Sequence, residues 1–412
     1  MRFVAISVLL LAGCTTDIAP LHSIKLPPGV TEVHKEWPIP EGAQDVEVIG
    51  TGSTLHAASD FHGRAIFAVK SGTRIRFRNF TIDGNRAALE QRVGLPGSNT
   101  PFHSFTVNNG ILIEGATDVK ISDVTLRQVA GFAILVSGSK EVRIERAHIE
   151  DSGSRNAAGR NNTTGGILLE EGTSDFQVID CELKQIRGNG VWTHSLYTSP
   201  RNENGMIGLN YFTAIGRDAI QVGHATGIRV EKNSGERIGY PESEVDAIPV
   251  AIDTAGNVDH STYVGNKFSE INGKCIDLDG FHEGRVTGNV CTNQRNFGIV
   301  MNNSNPDMQS SEITIEDNTI DGGQYGGIFV IGGPNKILKN TLRNLNLSHS
   351  EDELLRSGIY LGKGAERPGI ARGNVVTGND ITGYQLKCIA NAPEVSMSEN
   401  QIGQNECKSS KP

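Results

Sequence analysis

Two carboxylates, Asp277 and Asp279, stand two residues apart in Cys275-Ile-Asp-Leu-Asp, where apolar and polar residues alternate as in an extended strand. In such a strand both side chains fall on one side, about 6.5–7 Å apart. That is the lower end of the roughly 6.5–9.5 Å at which inverting glycosidases hold an acid and a base. One carboxylic acid would protonate a leaving oxygen while the other activates water. With Asp253 from the neighbouring repeat, the pair is also a candidate hard-oxygen site for Ca²⁺. An ion bridging a uronate carboxylate would acidify the sugar's C5 proton for β-elimination, with His194, His224 or Lys274 as the base. The same two residues also read as solvated charges that discourage aggregation of an exposed face.

Other candidates surround them in the sequence. Trp192 and His194 share Gly190-Val-Trp-Thr-His, the one a flat apolar face for a sugar ring, the other a group titrating in the useful range. Gln221 and Asn302 occupy outward positions on similar strands. Arg217 and Lys274 precede their strands, where they would meet an anionic substrate or form ordinary surface ion pairs. His224 and His282 fall in turns after theirs, as substrate contacts or plain turn residues.

Positioning these residues is the work of a repeat. Glycine, alanine or cysteine leads an alternating apolar strand again and again: Gly110-Ile-Leu-Ile, Ala133-Ile-Leu-Val, Gly166-Ile-Leu-Leu, Gly190-Val-Trp-Thr, Ala219-Ile-Gln-Val, Ala247-Ile-Pro-Val, Cys275-Ile-Asp-Leu, Gly298-Ile-Val-Met, Gly327-Ile-Phe-Val and Gly358-Ile-Tyr-Leu. Copies start roughly 22 to 33 residues apart, in the range of coiled repeats. Two more short strands follow each leader, as in Val119-Lys-Ile and Val124-Thr-Leu, leaving no room for a helix. The expected fold is all-β: a parallel coil of three short strands per turn, with about 12 turns.

Between the second and third strands, Asn210, Asn233, Asn266, Asn289, Asn318, Asn340, Asn379 and Asn400 align in one column. Asparagine tolerates left-handed turn geometry, and stacked amides can bond along the axis. Earlier repeats put Phe80, Val124, Ala147 and Cys181 there instead. Outward residues of the leading strands read Leu112, Leu135, Leu168, Trp192, Gln221, Pro249, Asp277, Val300, Phe329 and Tyr360, with polar groups in the middle repeats. Longer insertions (87–106, 151–164, 195–205, 239–246, 303–311, 346–357) all flank these strands. They predict a groove along that face, suited to an extended polymer.

The asparagine column, the glycine-led strands and Ile82-Asp83-Gly84-Asn85 resemble the pectate-lyase-like superfamily of right-handed parallel β-helices, over almost the whole chain. That resemblance implies a single-stranded right-handed coil. It implies no one chemistry, because the fold carries lyases, hydrolases, epimerases and adhesins. The Asn-Thr-Asp, Asp-Asp, Gly-His-Gly and Arg-Ile-Lys motifs of polygalacturonase-like hydrolases are not intact here, nor is the Asp-Pro-His-Asp motif of alginate epimerases. The Trp-Ile-Asp-His motif of one pectate lyase family retains only Trp192 and His194.

At the N-terminus, Arg2, an apolar stretch to Leu11 and Leu11-Ala12-Gly13-Cys14 resemble a bacterial lipoprotein signal. The resemblance implies cleavage after residue 13, lipidation of Cys14, a linker over 14–27 and one β-helix over 28–412. Export with a lipid anchor follows, and Thr15 after the cysteine favours the outer membrane under enteric-type sorting. A net charge of −9 speaks against nucleic acid as a partner. Cys275 with Cys291, and Cys388 with Cys407, are possible bridges, and buried thiols are the alternative. The leading expectation is a surface enzyme that cleaves a polysaccharide by hydrolysis or elimination. Its rival is a non-catalytic glycan-binding protein or adhesin.

Overall fold

A computed structural model describes residues 21–92, 94–302, 310–364 and 369–409. Cys14 and the expected signal segment lie outside the described residues. Every strand pairing is parallel and joins residues about one turn apart, so the chain winds as a coil. The leading sheet runs from 65–70 through Asn109–Glu114, Phe132–Ser137, Gly165–Glu170, Asn189–His194, Ile220–Val222, 250–255, 274–279, Ile299–Asn302, Ile328–Val330 and Ser357–Leu361 to Lys387–Asn391. These are the twelve rungs expected. At the two ends Gly29–Trp37 and Glu406–Ser409 pair in parallel with their neighbours as further coil. His22–Lys25, inside the stretch expected as linker, pairs likewise with 46–49.

The interior is built from columns. Ile111, Ile134, Ile167, Val191, Ile220, Ile252, Ile276, Ile299, Ile328 and Ile359 stand in register, one per rung, and all are fully buried. Branched side chains suit this pleated stacking, and each layer buries the next. The small leading residue has a steric cause. A Cβ on Gly190 would come within 2.5 Å of the Ala219 carbonyl oxygen in the next rung.

The asparagine ladder is present. Asn210, Asn233, Asn266, Asn289, Asn318, Asn340 and Asn379 are buried, and the backbone N–H and side-chain amide of each donate to the next Oδ1 at 2.9–3.0 Å. Its last member is Asn405, which accepts from Asn379. Asn400 was expected in this column and is not there. It closes a second, shorter ladder at another corner, Asn335–Asn374–Asn400.

Two disulfides tie the later rungs, Cys275–Cys291 and Cys388–Cys407, while Cys181 is free and buried. Burial pushes the Cys181 thiol up to about 12, so it is inert. The first bridge spans 16 residues of sequence. A loop of that size is worth about 3 kcal/mol in the chain-entropy account. Replacing Cys275 and Cys291 together by alanine is expected to lower the urea midpoint accordingly, and an unchanged midpoint would refute a stabilising role.

Candidate functional site

The register corrects one column and thereby gathers the acids. Pro249 was expected at the outward position between Gln221 and Asp277, but proline cannot donate to the sheet and the strand begins after it, at Val250. Asp253 takes the place: Gln221 pairs with Asp253, and Asp253 with Asp277. Neighbouring strands lie about 4.8 Å apart. The outward column therefore runs Trp192, Gln221, Asp253, Asp277, Val300, Phe329, Tyr360.

Polar groups along this column are chained together. The Asn189 amide donates to Gln221 Oε1 at 2.7 Å, and Gln221 Nε2 donates to Asp253 Oδ2 at 2.6 Å. Lys274 Nζ donates to Asp277 Oδ2, so this lysine is an ion-pair partner and not a free base. Asp277 is buried, and its other oxygen has no hydrogen-bond partner. Asp253 and Asp279 are half-buried.

A fourth carboxylate was missed in the sequence. Asp218, just before Ile220–Val222, is 3% exposed and accepts the Val250 N–H at 2.9 Å. The one available signal was its place beside Arg217. That arginine turns to Asp246 of the 239–246 insertion at 3.1 Å and to Asp218 at 3.7 Å, so it is engaged within the protein.

Burial and mutual repulsion set the protonation of these acids. Burial raises Asp253 well above the ordinary carboxylate range, and Asp218 and Asp277 raise it further. Asp277 is also raised by burial, against the opposing pull of Lys274. Asp218 is pushed up to about 6 by burial. Asp277 has an ammonium partner and Asp253 has only an amide. Of the two, Asp253 is therefore the more readily protonated.

The three aspartates proposed for calcium do not draw their oxygens together. Among the described residues, the group with ligand atoms all within 4.8 Å is Glu170, Glu171 and His194. Glu170 is already occupied there: its fully buried carboxylate accepts the N–H groups of Phe102 and His103 and bonds to the His103 ring at 2.7–2.9 Å. This anchors the 87–106 insertion onto the sheet.

Trp192 lies beneath that insertion. It was expected as an open face for a sugar, but it is 9% exposed and packs against Phe102, at 4.9 Å between ring centres, and Phe132. His194 sits beside it, with rings of Phe102 and Trp192 at 5.1 and 5.2 Å. Burial lowers the His194 pKa and keeps the imidazole neutral, and its Nδ1 is buried without a partner. His224 is in a turn, as expected, buried and edge-on to Tyr197 at 4.9 Å. His282 instead ends a strand, Lys274–His282, beyond a bend at Gly280 (φ +71°), and lies 3.4 Å from Asn257 Oδ1. Asn302 stands next to Asp279 in register.

The Glu170 anchor carries a pH prediction. Its hydrogen bond raises His103 above the usual histidine value of 6.5. A raised folded-state pKa contributes stability fully below 6.5, and that contribution is lost as pH rises through the higher folded value. Hydrogen exchange of 102–106 is expected to speed up from pH 6 to pH 9 beyond the intrinsic rate. A Glu170→Gln variant should already exchange fast at pH 6, and equal protection in the two proteins would refute the anchor.

The right-handed β-helix region family matches residues 64–241 and 250–410. No curated protein matches the chain significantly in sequence. Among solved structures, the GH136 lacto-N-biosidase of Eubacterium ramulus aligns with TM-score 0.54 and 14% identity, over 88% of this chain and 62% of that one. The pre-mature bacteriophage phi29 gene product 12 aligns with TM-score 0.63 and 12% identity, over 89% and 53%. The periplasmic alginate epimerase AlgG, as its D317A mutant, aligns with TM-score 0.54 and 12% identity, over 93% and 84%. The chain thus spans less than two thirds of the first two. Identities this low speak for the fold alone, and with the family match and the ladder they establish that the chain belongs to the right-handed β-helix family.

Proposed function

We propose that this protein hydrolyses glycosidic bonds of an extended polysaccharide bound along the leading sheet. The observation that carries the reading is the stack of Asp253 on Asp277, two outward carboxylates with raised pKa values beside half-buried Asp279. Asp253 carries a proton and is the general acid for the leaving oxygen. Asp279 lies one strand over and two residues along, a diagonal of roughly 8 Å from strand spacing and rise. That separation falls inside the roughly 6.5–9.5 Å that leaves room for a water between acid and base. Asp279 is then the base, Asp277 and Lys274 hold the charge balance between them, and inversion at the anomeric carbon is expected.

The neutral His194 ring, two rungs before Asp253, serves as a sugar contact in this reading. Under the same reading the lipoprotein-like N-terminus directs export, with Cys14 as the lipid anchor. β-helix structures of glycoside-acting proteins, such as the lacto-N-biosidase, make the substrate class reasonable without naming it.

Product analysis of the chain lacking residues 1–14 against a polysaccharide panel tests the proposal. New reducing ends without near-ultraviolet absorbance are expected. Unsaturated products would establish elimination instead, and calcium would return to the argument if EDTA abolished them. Glycan binding without cleavage would favour the non-catalytic reading.

A further inference from the structure

We propose that the rungs following the acids form a binding ledge for an uncharged glycan and select against polyuronates. This rests on the glycosidase reading and names the substrate class of that site. In the outward column, Asp277 is followed by Val300, Phe329 and Tyr360, one per rung. Phe329 and Tyr360 are half-buried, with ring centres 6.0 Å apart and planes tilted by 35°. Phe297 flanks Phe329 at 6.2 Å, and Tyr325 in turn lies 6.1 Å from Phe297. Gly362 fixes the pose: a Cβ there would stand 2.3 Å from Phe329 Cε2, so only glycine lets this ring lie where it does. The C–H faces of pyranose rings stack on such surfaces, and the ledge extends from the acids over about three strand spacings, roughly 14 Å.

The charges around the ledge decide what kind of sugar it accepts. Asp218, Asp253, Asp277 and Asp279 crowd one end, and the first three already raise one another or are raised by burial. At the other end burial disfavours ionisation of Tyr360, and Glu353, Asp352 and Glu394 disfavour it further. Lys274, Lys363 and Lys387 are each closed onto a carboxylate, Asp277, Glu394 and Glu353 respectively. Arg217 is likewise held by Asp246. In each of these pairs the charges cancel, so a uronate on this path would find the named cations already neutralised and the carboxylates of Asp218 and Asp352 set against it. An uncharged glycan meets no such opposition.

Affinity electrophoresis and calorimetry on the chain lacking residues 1–14 would test the ledge. The probes are uncharged β-glucan, xyloglucan and galactomannan, the polyuronates polygalacturonate and alginate, and cationic chitosan. At least one uncharged polymer is expected to bind, at least tenfold more tightly than either polyuronate. A Phe329→Ala, Tyr360→Ala double variant with an unchanged circular-dichroism spectrum should lose that affinity tenfold or more. A second variant, Gly362→Ala, should weaken it by displacing Phe329. Polyuronate binding of equal or greater strength, chitosan as the sole ligand, no binding of any uncharged polymer, or full affinity in both variants would each overturn the inference. The two readings separate cleanly. Ledge-dependent binding of an uncharged glycan without cleavage removes the glycosidase and keeps the ledge. Cleavage of a polyuronate keeps the enzyme and removes the ledge.

Discussion

Asp253→Asn is expected to slow glycoside cleavage about 10²–10⁴-fold without lowering the melting temperature. The rate range is that of a positioned general acid. Asparagine keeps an acceptor for the 2.6 Å bond from Gln221 Nε2, so the polar chain on the sheet survives. It has no proton to give the leaving oxygen. Stability should hold or rise, because the Asp253 carboxyl is pushed up by burial, Asp218 and Asp277. The sign follows from linkage. A carboxylate whose folded pKa is raised favours the folded state at low pH, and that advantage disappears as pH climbs from the unfolded value through the folded one. The wild type should therefore lose stability as pH rises above the ordinary carboxylate range more steeply than the Asn variant, which has no carboxyl at this position. Asp279→Asn should lose activity to a similar degree. An Asp253→Asn enzyme that keeps wild-type rates would remove the acid assignment, and a large fall in melting temperature would mean that Asp253 is structural.

Asn289→Ala is expected to destabilise the coil strongly. It strips Oδ1 from both the Asn266 N–H and the Asn266 amide, and takes the amide donor from the Tyr263 carbonyl. All of these lie in the buried stack, and each orphaned group costs about 1–3 kcal/mol. A loss of about 3–5 kcal/mol in urea unfolding is the expected sum. Asn405→Ala, at the half-buried end of the same ladder, should cost much less, because water can enter the vacated space and take over the bonds from Asn379. Equal losses at the two positions would show that the ladder does not act through burial.

Fold legibility in this sequence follows from its locality. Inward Ile and Val at period two, and one asparagine per turn, are properties of short segments, and both survive in the structure. The register failed where two segments competed. Ala247-Ile-Pro-Val alternates as well as Val250-Ala-Ile-Asp does, and only the missing N–H of Pro249 distinguishes them. Asn400 misled for a related reason. The last coil carries asparagines at two corners, five residues apart, and spacing alone favoured the wrong one. The site was half legible. Asp277, Asp279, Gln221 and Asp253 were visible as residues, whereas the stacking of Asp253 on Asp277 needed the correct register. The burial of Trp192 was not legible at all. It depends on Phe102, ninety residues earlier, being clamped by Glu170, a contact that no local pattern encodes.

The asparagine ladder begins only at Asn210, which takes the place held in the previous rung by Cys181, whose N–H donates to Asn210 Oδ1 at 2.9 Å. Both disulfides also lie beyond that point. In a solenoid each layer is stabilised by its two neighbours, so cohesion need not be uniform along the rod. The molecule is a splice of two materials: a forward section held by oily contacts and a rear section held by a hydrogen-bonded cable and covalent rivets. A tug along the axis would find the weaker material first. Mechanical failure would start ahead of the splice, leaving the rear section, with Asp253, Asp277, Asp279 and the aromatic ledge, as the last part to unwind.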